Sequence, residues 1–152
     1  MHALRCLRRG RLRWRLADRF SSFYAFGRSG PIRIDGAVGT AYAQPVSLFA
    51  GGAGLISSSG DFLRFLMMLL DGGRARDRRV MRPETARLIH TNILPEAVTN
   101  FEGQGHGFGG YVRLADDPAA GGLKAGAYGR HGAAGTTAWI DPSADVAAVI
   151  VV

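Results

Sequence analysis

From residue 108 onward the sequence is cut into four short apolar segments: Phe108 to Leu114, Tyr128 to Gly132, Thr136 to Ile140 and Val146 to Val152. Each alternates or runs apolar, and each is bounded by glycine, proline or aspartate, the way strands and their turns read. Asp141-Pro142-Ser143-Ala144-Asp145 between the last two is the signature of a hairpin. The clearest helix lies earlier, from Ser59 to Asp71. Ser58 or Ser59 can accept a hydrogen bond from its free N–H groups, and Asp61 comes three residues after Ser58, as in a capping box. Phe62, Phe65, Leu66 and Leu69 then fall on one face, and Gly72-Gly73 ends it. Met67 and Met68 read as core filling rather than a cofactor box. Pro83 opens a second, short helix through Ala86, Ile89 and His90 that ends near Asn92. Two helices and then consecutive strands predict an α+β fold, an antiparallel β-sheet flanked by helices. The remaining segments read as a short helix over Leu16 to Phe26, a glycine-rich irregular stretch over Gly27 to Gly39, and a solvated charged loop over Arg74 to Arg82. No internal repeat is present.

At 152 residues the chain has the length of one domain. With 47% apolar and 20% charged residues it has the composition of a globular protein, not of a disordered one. Its 22 glycines show no G-X-Y period, which excludes collagen. No apolar run reaches the ~18 residues of a membrane span. The net charge of +7 suggests nucleic acid until it is located. Arg5, Arg8, Arg9, Arg11, Arg13 and Arg15 carry six of the 19 basic residues, which leaves 13 against 12 acids in the remainder. The excess is therefore a basic tail over residues 1–15, expected to be unstructured, not a charged face of a folded domain. That tail has no apolar h-region, so it is no secretory signal, and the cytoplasm is the default compartment. A mitochondrial-type presequence and a start codon inside a longer reading frame both fit it. Cys6, the lone cysteine, excludes an internal disulfide.

Nucleophile signatures can be checked by inspection. No serine has glycine two residues to either side, so the G-x-S-x-G elbow is absent. Lys124 is the only lysine, and Gly121 stands three residues before it, so Ser-x-x-Lys is absent too. Two positions after Tyr24, Tyr42, Tyr111 and Tyr128 stand Phe, Gln, Arg and Arg, which excludes Tyr-x-Asn. Gly105-His106-Gly107-Phe108-Gly109-Gly110 matches G-x-G-x-x-G, but the next residues, Tyr111-Val112-Arg113-Leu114, are strand-like where a dinucleotide site needs a helix. The run reads as a glycine-softened strand start. His2, His90, His106 and His131 lack metal-ligand spacing, so no metal and no cofactor is expected.

His131 sits in Tyr128-Gly129-Arg130-His131-Gly132-Ala133-Ala134-Gly135-Thr136-Thr137. Small residues in a strand let a ligand or another backbone come close. The segment therefore reads either as a substrate-facing edge or as a tight hairpin with an exposed arginine.

Taken in order, four stretches resemble the C-terminal part of the β-lactamase-related serine hydrolases, which include class C β-lactamases, D-alanyl-D-alanine carboxypeptidases and esterases. They are residues 51–65 (GGAGLISSSGDFLRF), Arg82-Pro83-Glu84-Thr85, Gly107-Phe108-Gly109-Gly110, and residues 128–136 running on through Trp139-Ile140-Asp141-Pro142. The resemblance covers residues 16–152 and implies an incomplete β-lactamase/transpeptidase-like fold. It implies that Arg130, His131 and Gly132 occupy the family's Lys-Thr-Gly position and bind substrate, with Arg130 able to hold a carboxylate. It also implies that Ala133 gives a backbone N–H to the oxyanion hole. Arginine departs from the Lys, His or Trp common at that place. The family's Ser-x-x-Lys and Tyr-x-Asn motifs lie N-terminal to the matching region, and without nucleophile and base only residual catalysis is expected. The apolar run at Val146 to Val152 has no polar terminator, which favours a truncated chain.

The expectation is thus a C-terminal hydrolase fragment, inactive alone, whose complete form acts on a small-molecule ester or amide. It needs no nucleic-acid partner and has no membrane span, and the sequence leaves its oligomeric state open. Two rivals stand beside it: a non-catalytic binding module that retains the cleft edge, and a nucleic-acid or membrane-surface binder acting through the Arg tail.

Overall fold

The computed structural model describes residues 19–35, 55–95, 98 and 103–151. The basic tail and the Gly51 to Gly54 stretch lie outside them. The chain divides into two compact units, with the boundary between Ser58 and Ser59.

In the first unit, β1 (Phe23–Gly27) and β2 (Gly30–Asp35) form an antiparallel hairpin with Gly27 opposite Gly30. Sequence reading expected the end of a helix and then irregular chain here. Aromatic and β-branched residues, Phe23, Tyr24, Phe26, Ile32 and Ile34, suit a pleated pair better than a helix. Gly30 takes φ +121°, which the tight turn demands and a side chain resists.

The second unit begins with α1 (Ser59–Leu70). Its expected stripe holds: Leu66 and Leu69 are buried, with Phe62 and Phe65 partly so. Met68 is buried but Met67 is half exposed, so only one of the two methionines fills the core. The helix ends in a Schellman motif, with Gly73 N–H donating to Met68 O (2.9 Å) and Gly72 N–H to Leu69 O (3.1 Å), Gly72 being left-handed at φ 56°. The expected charged loop contains a small ladder, β3 (Arg74–Ala75) against β4 (Arg78–Arg79). The Arg79 guanidinium there donates to Gly72 O at the helix end (3.0 Å).

Next, α2 (Pro83–Ile89) starts on its proline and stops three residues earlier than expected. The chain from His90 to Leu94 leaves the helix to dock on the sheet. Asn92 Oδ1 accepts from His106 N–H (3.0 Å), and Ile93 N–H donates to His106 O (2.9 Å).

The sheet is an antiparallel meander of five strands in chain order: β5 (Gln104–Gly107), β6 (Gly110–Arg113), β7 (Tyr128–His131), β8 (Thr137–Asp141) and β9 (Val146–Ile150). Three of the four sequence-predicted strands recur, two with trimmed ends and the Thr136 to Ile140 strand shifted by one residue to Thr137–Asp141. The fourth, Phe108 to Leu114, is half a hairpin whose other arm, β5, was unexpected. The G-x-G-x-x-G run is that hairpin, with Phe108-Gly109 as its two-residue loop. Its glycines answer to packing, because a methyl on Gly107 would run into the Ile89 carbonyl and one on Gly105 into the Asn92 side chain. One sheet face, with Val112, Tyr128, Ala138 and Ile140, closes the core against Leu66, Met68 and Leu69. An α+β antiparallel sheet with helices is thus what the sequence folds into.

Two side-chain devices fix the connections. Arg113, only 6% exposed, is ion-paired with Asp117 in the β6–β7 connection. Asp141 sets the β8–β9 turn by accepting from Ser143 N–H (2.9 Å), Ser143 Oγ (2.6 Å) and Ala144 N–H (3.3 Å). These bonds, the Ser143 hydroxyl first, hold its carboxyl below the usual carboxylate range.

Gly107→Ala is expected to lower stability by about 1–3 kcal/mol. Gly60→Ala, with open space around it, should be neutral or stabilising. Paired thermal melts check both. Asp141→Ala should cost about 0.5–1.5 kcal/mol at neutral pH by removing the hydrogen bonds that hold the turn. The native carboxyl has a lowered pKa, so its contribution is present at neutral pH and is lost as pH falls below about 3.8, a loss the variant should not show in acid titrations.

Candidate functional site

β7 carries Arg130 and His131 and leads into the loop that holds Gly132 and Ala133, and its neighbours treat its two ends differently. β6 pairs with Tyr128 and Gly129 only, whereas β8 pairs with all four residues through His131. Beyond Gly129 the β6-facing edge of β7 has no strand partner among the described residues. Gly110 is the reason: at φ 143° it turns β6 back into its hairpin. Its missing side chain also admits the Gly129 carbonyl, into which a Cβ would collide.

Strand alternation separates Arg130 from His131. Arg130 lies on the face that carries Tyr128 and Ala138, toward α1. His131 lies on the opposite face, 5.8 Å from the Trp139 ring and 6.5 Å from Tyr111, with Nδ1 2.7 Å from Thr137 Oγ1. His106 continues this aromatic band edge-on to Tyr111 at 5.4 Å. Gly129 makes the band possible, since a Cβ there would lie 2.8 Å from the Trp139 ring.

After His131 the chain turns. Gly132 N–H donates to Thr136 O (2.7 Å), Gly135 N–H donates to Gly132 O (3.1 Å), and Gly135 is left-handed at φ 79°. This is the three-residue hairpin loop with a bulge glycine, and Ala133 is its exposed first position. Among the described residues, no hydrogen bond engages the Ala133 N–H. The tight hairpin with an exposed Arg130, one of the two readings of the sequence, is what forms here.

On the α1 side, beside Arg130, a cavity of about 320 Å³ opens between helix and sheet. Phe62 and Phe65 wall it from the helix, Tyr128 and Ile140 from the sheet, and Phe108 from the hairpin. Sequence reading missed it, although alternation along β7 already put Tyr128 beside Arg130. Burial pushes the Tyr128 phenol up to about 12. His90 stacks on it at 4.8 Å, and burial also holds the His90 imidazole below its ordinary value, with Arg87 adding repulsion. Among the described residues no three His, Cys, Asp or Glu side chains converge as a metal site would require. None of the described helices is long and apolar enough to cross a membrane.

The family profile described as Beta-lactamase matches residues 8–152, nearly the whole chain. The chain belongs to the beta-lactamase family. Among its relatives are two Mycobacterium tuberculosis proteins, Protein Rv1367c of strain H37Rv and Uncharacterized protein MT1414 of strain CDC 1551 / Oshkosh. Each is 35% identical over 141 residues, covering 84% of this chain and 34% of the relative. The chain thus spans about a third of their length. In structure it is similar to simvastatin synthase LovD from Aspergillus terreus, in its LovD6 mutant, with TM-score 0.71 and 22% identity over 90% of this chain and 38% of that one. EstCE1, a hydrolase with promiscuous acyltransferase activity, gives 0.62 and 23% over 84% and 37%. The octameric penicillin-binding protein homologue from Pyrococcus abyssi gives 0.57 and 18% over 85% and 26%. These likenesses establish the fold, a partial β-lactamase-related one.

The lowered His90 pKa predicts an acid-sensitive fold. A base whose folded pKa is depressed stabilises the protein above its unfolded value and loses that contribution as pH falls, here below about 6.5. Chemical denaturation at pH 7.5 and pH 5 should show a drop in stability that His90→Phe diminishes.

Proposed function

We infer that this chain is the C-terminal part of a serine hydrolase that forms an acyl-serine intermediate, and that by itself it does not turn over substrate. In the complete reaction a serine oxygen bonds to an ester or amide carbonyl, the alcohol or amine departs with a proton, and water then releases the acid from the serine. The β7 region supplies the electrostatic half of that chemistry. The observation that carries this reading is the free Ala133 N–H in a hydrogen-bonded hairpin loop next to the open edge of β7. A fixed backbone donor is suited to a developing oxyanion and is worth ~3–4 kcal/mol when properly aimed. Arg130, exposed and with no acid partner among the described residues, serves as a carboxylate anchor. Gly132 keeps the turn narrow, since a side chain there would strike Thr136. His131, on the other face and bonded to Thr137, orients the strand end rather than touching a ligand bound on Arg130's side.

The chain has no Ser-x-x-Lys and no Tyr-x-Asn, so nothing in it activates a serine. The purified full chain is expected to show no hydrolysis of nitrophenyl acetate, nitrophenyl butyrate or a chromogenic β-lactam above the blank. Turnover abolished by a serine-directed inhibitor overturns the reading. The cavity beside Arg130 favours a second reading, a binding module that holds a ligand without chemistry, and saturable binding without turnover is its mark.

A further inference from the structure

We propose that the arginine-rich turn formed by β3 and β4 is a docking surface for an anionic phospholipid membrane. Outside the basic tail the chain carries 13 basic residues against 12 acids. Five of those 13, Arg74, Arg76, Arg78, Arg79 and Arg82, fall within nine positions that hold one acid, Asp77. The fold gathers them, since the ladder pairs Arg74 with Arg79 and Ala75 with Arg78 and leaves Arg76-Asp77 as the loop. All five arginines are exposed. Arg79 has a structural task, because its guanidinium donates to Gly72 O (3.0 Å) and Met81 O (3.3 Å) and ties the turn to the end of α1. Among the described residues no ion pair engages the other four, although Asp71, Asp77 and Glu84 are close to them in the chain.

Two of the four stand where the backbone disfavours arginine. Like charges directly across a strand pair repel, and Arg74 faces Arg79 in this way. Arg76 takes φ 56°, in the left-handed region that suits glycine or asparagine. Arg74→Gln and Arg76→Asn would both ease the turn, so it is not the fold that favours arginine at these places. Local rules broken without a gain to the fold point to binding. Four exposed guanidinium groups on one turn suit a surface of many anions better than a single small anion. Clusters of ~4–8 Lys or Arg hold proteins to anionic headgroups, and a guanidinium can grip a phosphate through two N–H groups at once. Residues 66–100 contain no Phe, Tyr or Trp, so the turn offers no ring on which a nucleic-acid base could stack. Val80, 46% exposed beside Arg79, supplies instead an aliphatic group for the boundary between headgroups and acyl chains.

The test is sedimentation of the full chain with vesicles of phosphatidylcholine alone and of phosphatidylcholine mixed equally with phosphatidylglycerol. The chain is expected to bind the mixed vesicles, to ignore the neutral ones and to come off as salt rises. The combined variant Arg74→Gln, Arg76→Asn and Arg78→Gln should weaken binding about a hundred-fold, at about five-fold per charge. Its melting temperature should equal or exceed that of the parent chain, which separates lost binding from a lost fold. Arg5→Gln, Arg8→Gln and Arg9→Gln together control for the basic tail, and the turn variant should weaken binding by the same factor in that background. Equal binding by the parent and the turn variant overturns the proposal, because the tail then carries the association. So does equal binding to neutral vesicles, or retention on a DNA duplex that the mixed vesicles fail to displace, which gives the turn to nucleic acid. A melting temperature that falls in the turn variant assigns the arginines to the fold and overturns the proposal as well.

Discussion

The packing of one helical stripe on one sheet face is the interaction on which the second unit depends. Leu66, Met68 and Leu69 bury against Val112, Tyr128, Ala138 and Ile140, and this is its core cluster among the described residues. Burying a large aliphatic side chain is worth roughly 1.5–3 kcal/mol. A two-stranded hairpin cannot stand on its pairing alone. The meander therefore needs this helix, and the helix needs the meander to cover its stripe. Everything chemically interesting on β7 is positioned by that mutual burial: Tyr128 is pinned in the core, and Arg130 and His131 continue the strand out toward solvent.

Close approach is the second constraint, and it explains where the glycines fall. At Gly105, Gly107 and Gly109 the chain leaving α2 comes against the β5–β6 hairpin at distances that exclude a side chain. Gly110 and Gly129 let β6 and β7 part company after two paired residues, and Gly129 lets the Trp139 indole lie across the strand. The open edge of β7 is thus a consequence of backbone contacts elsewhere. An unpaired strand end and a compact sheet come from the same small residues.

Much of this architecture was legible in the residues. The stripe at Phe62, Phe65, Leu66 and Leu69, its glycine stop, the proline start of α2 and the three later strands were readable because each arises from local periodicity or local backbone restriction. The β1–β2 hairpin was not. Leu16 to Phe26 has apolar residues but no cap or period to decide its state, and for Phe23 to Phe26 pairing with β2 decided it. β5 was hidden for a related reason, since Gln104-Gly105-His106-Gly107 has almost no strand propensity of its own. Its state is imposed by the hydrogen bonds of His106 to Asn92 and Ile93. The candidate site was half legible: Arg130 through Ala133 could be picked out as a segment, but not the open edge or the cavity.

The sequence by itself determined the states of α1, the start of α2 and the last three strands, and the ordered motif series by which the family shows, because helix stripes, turns and caps are set by residues within a few positions of one another. It also determined which motifs are missing from these residues, since the absence of Ser-x-x-Lys is read directly from their order. Only the tertiary structure decided which side of the sheet each site residue serves. Arg130 and His131 are adjacent in sequence and opposite in space, because strand alternation divides neighbours and the helix on one face gives the two sides different surroundings. The cavity likewise exists only where α1, the β5–β6 hairpin and β7 meet, residues from Phe62 to Ile140 brought together by burial rather than by sequence proximity.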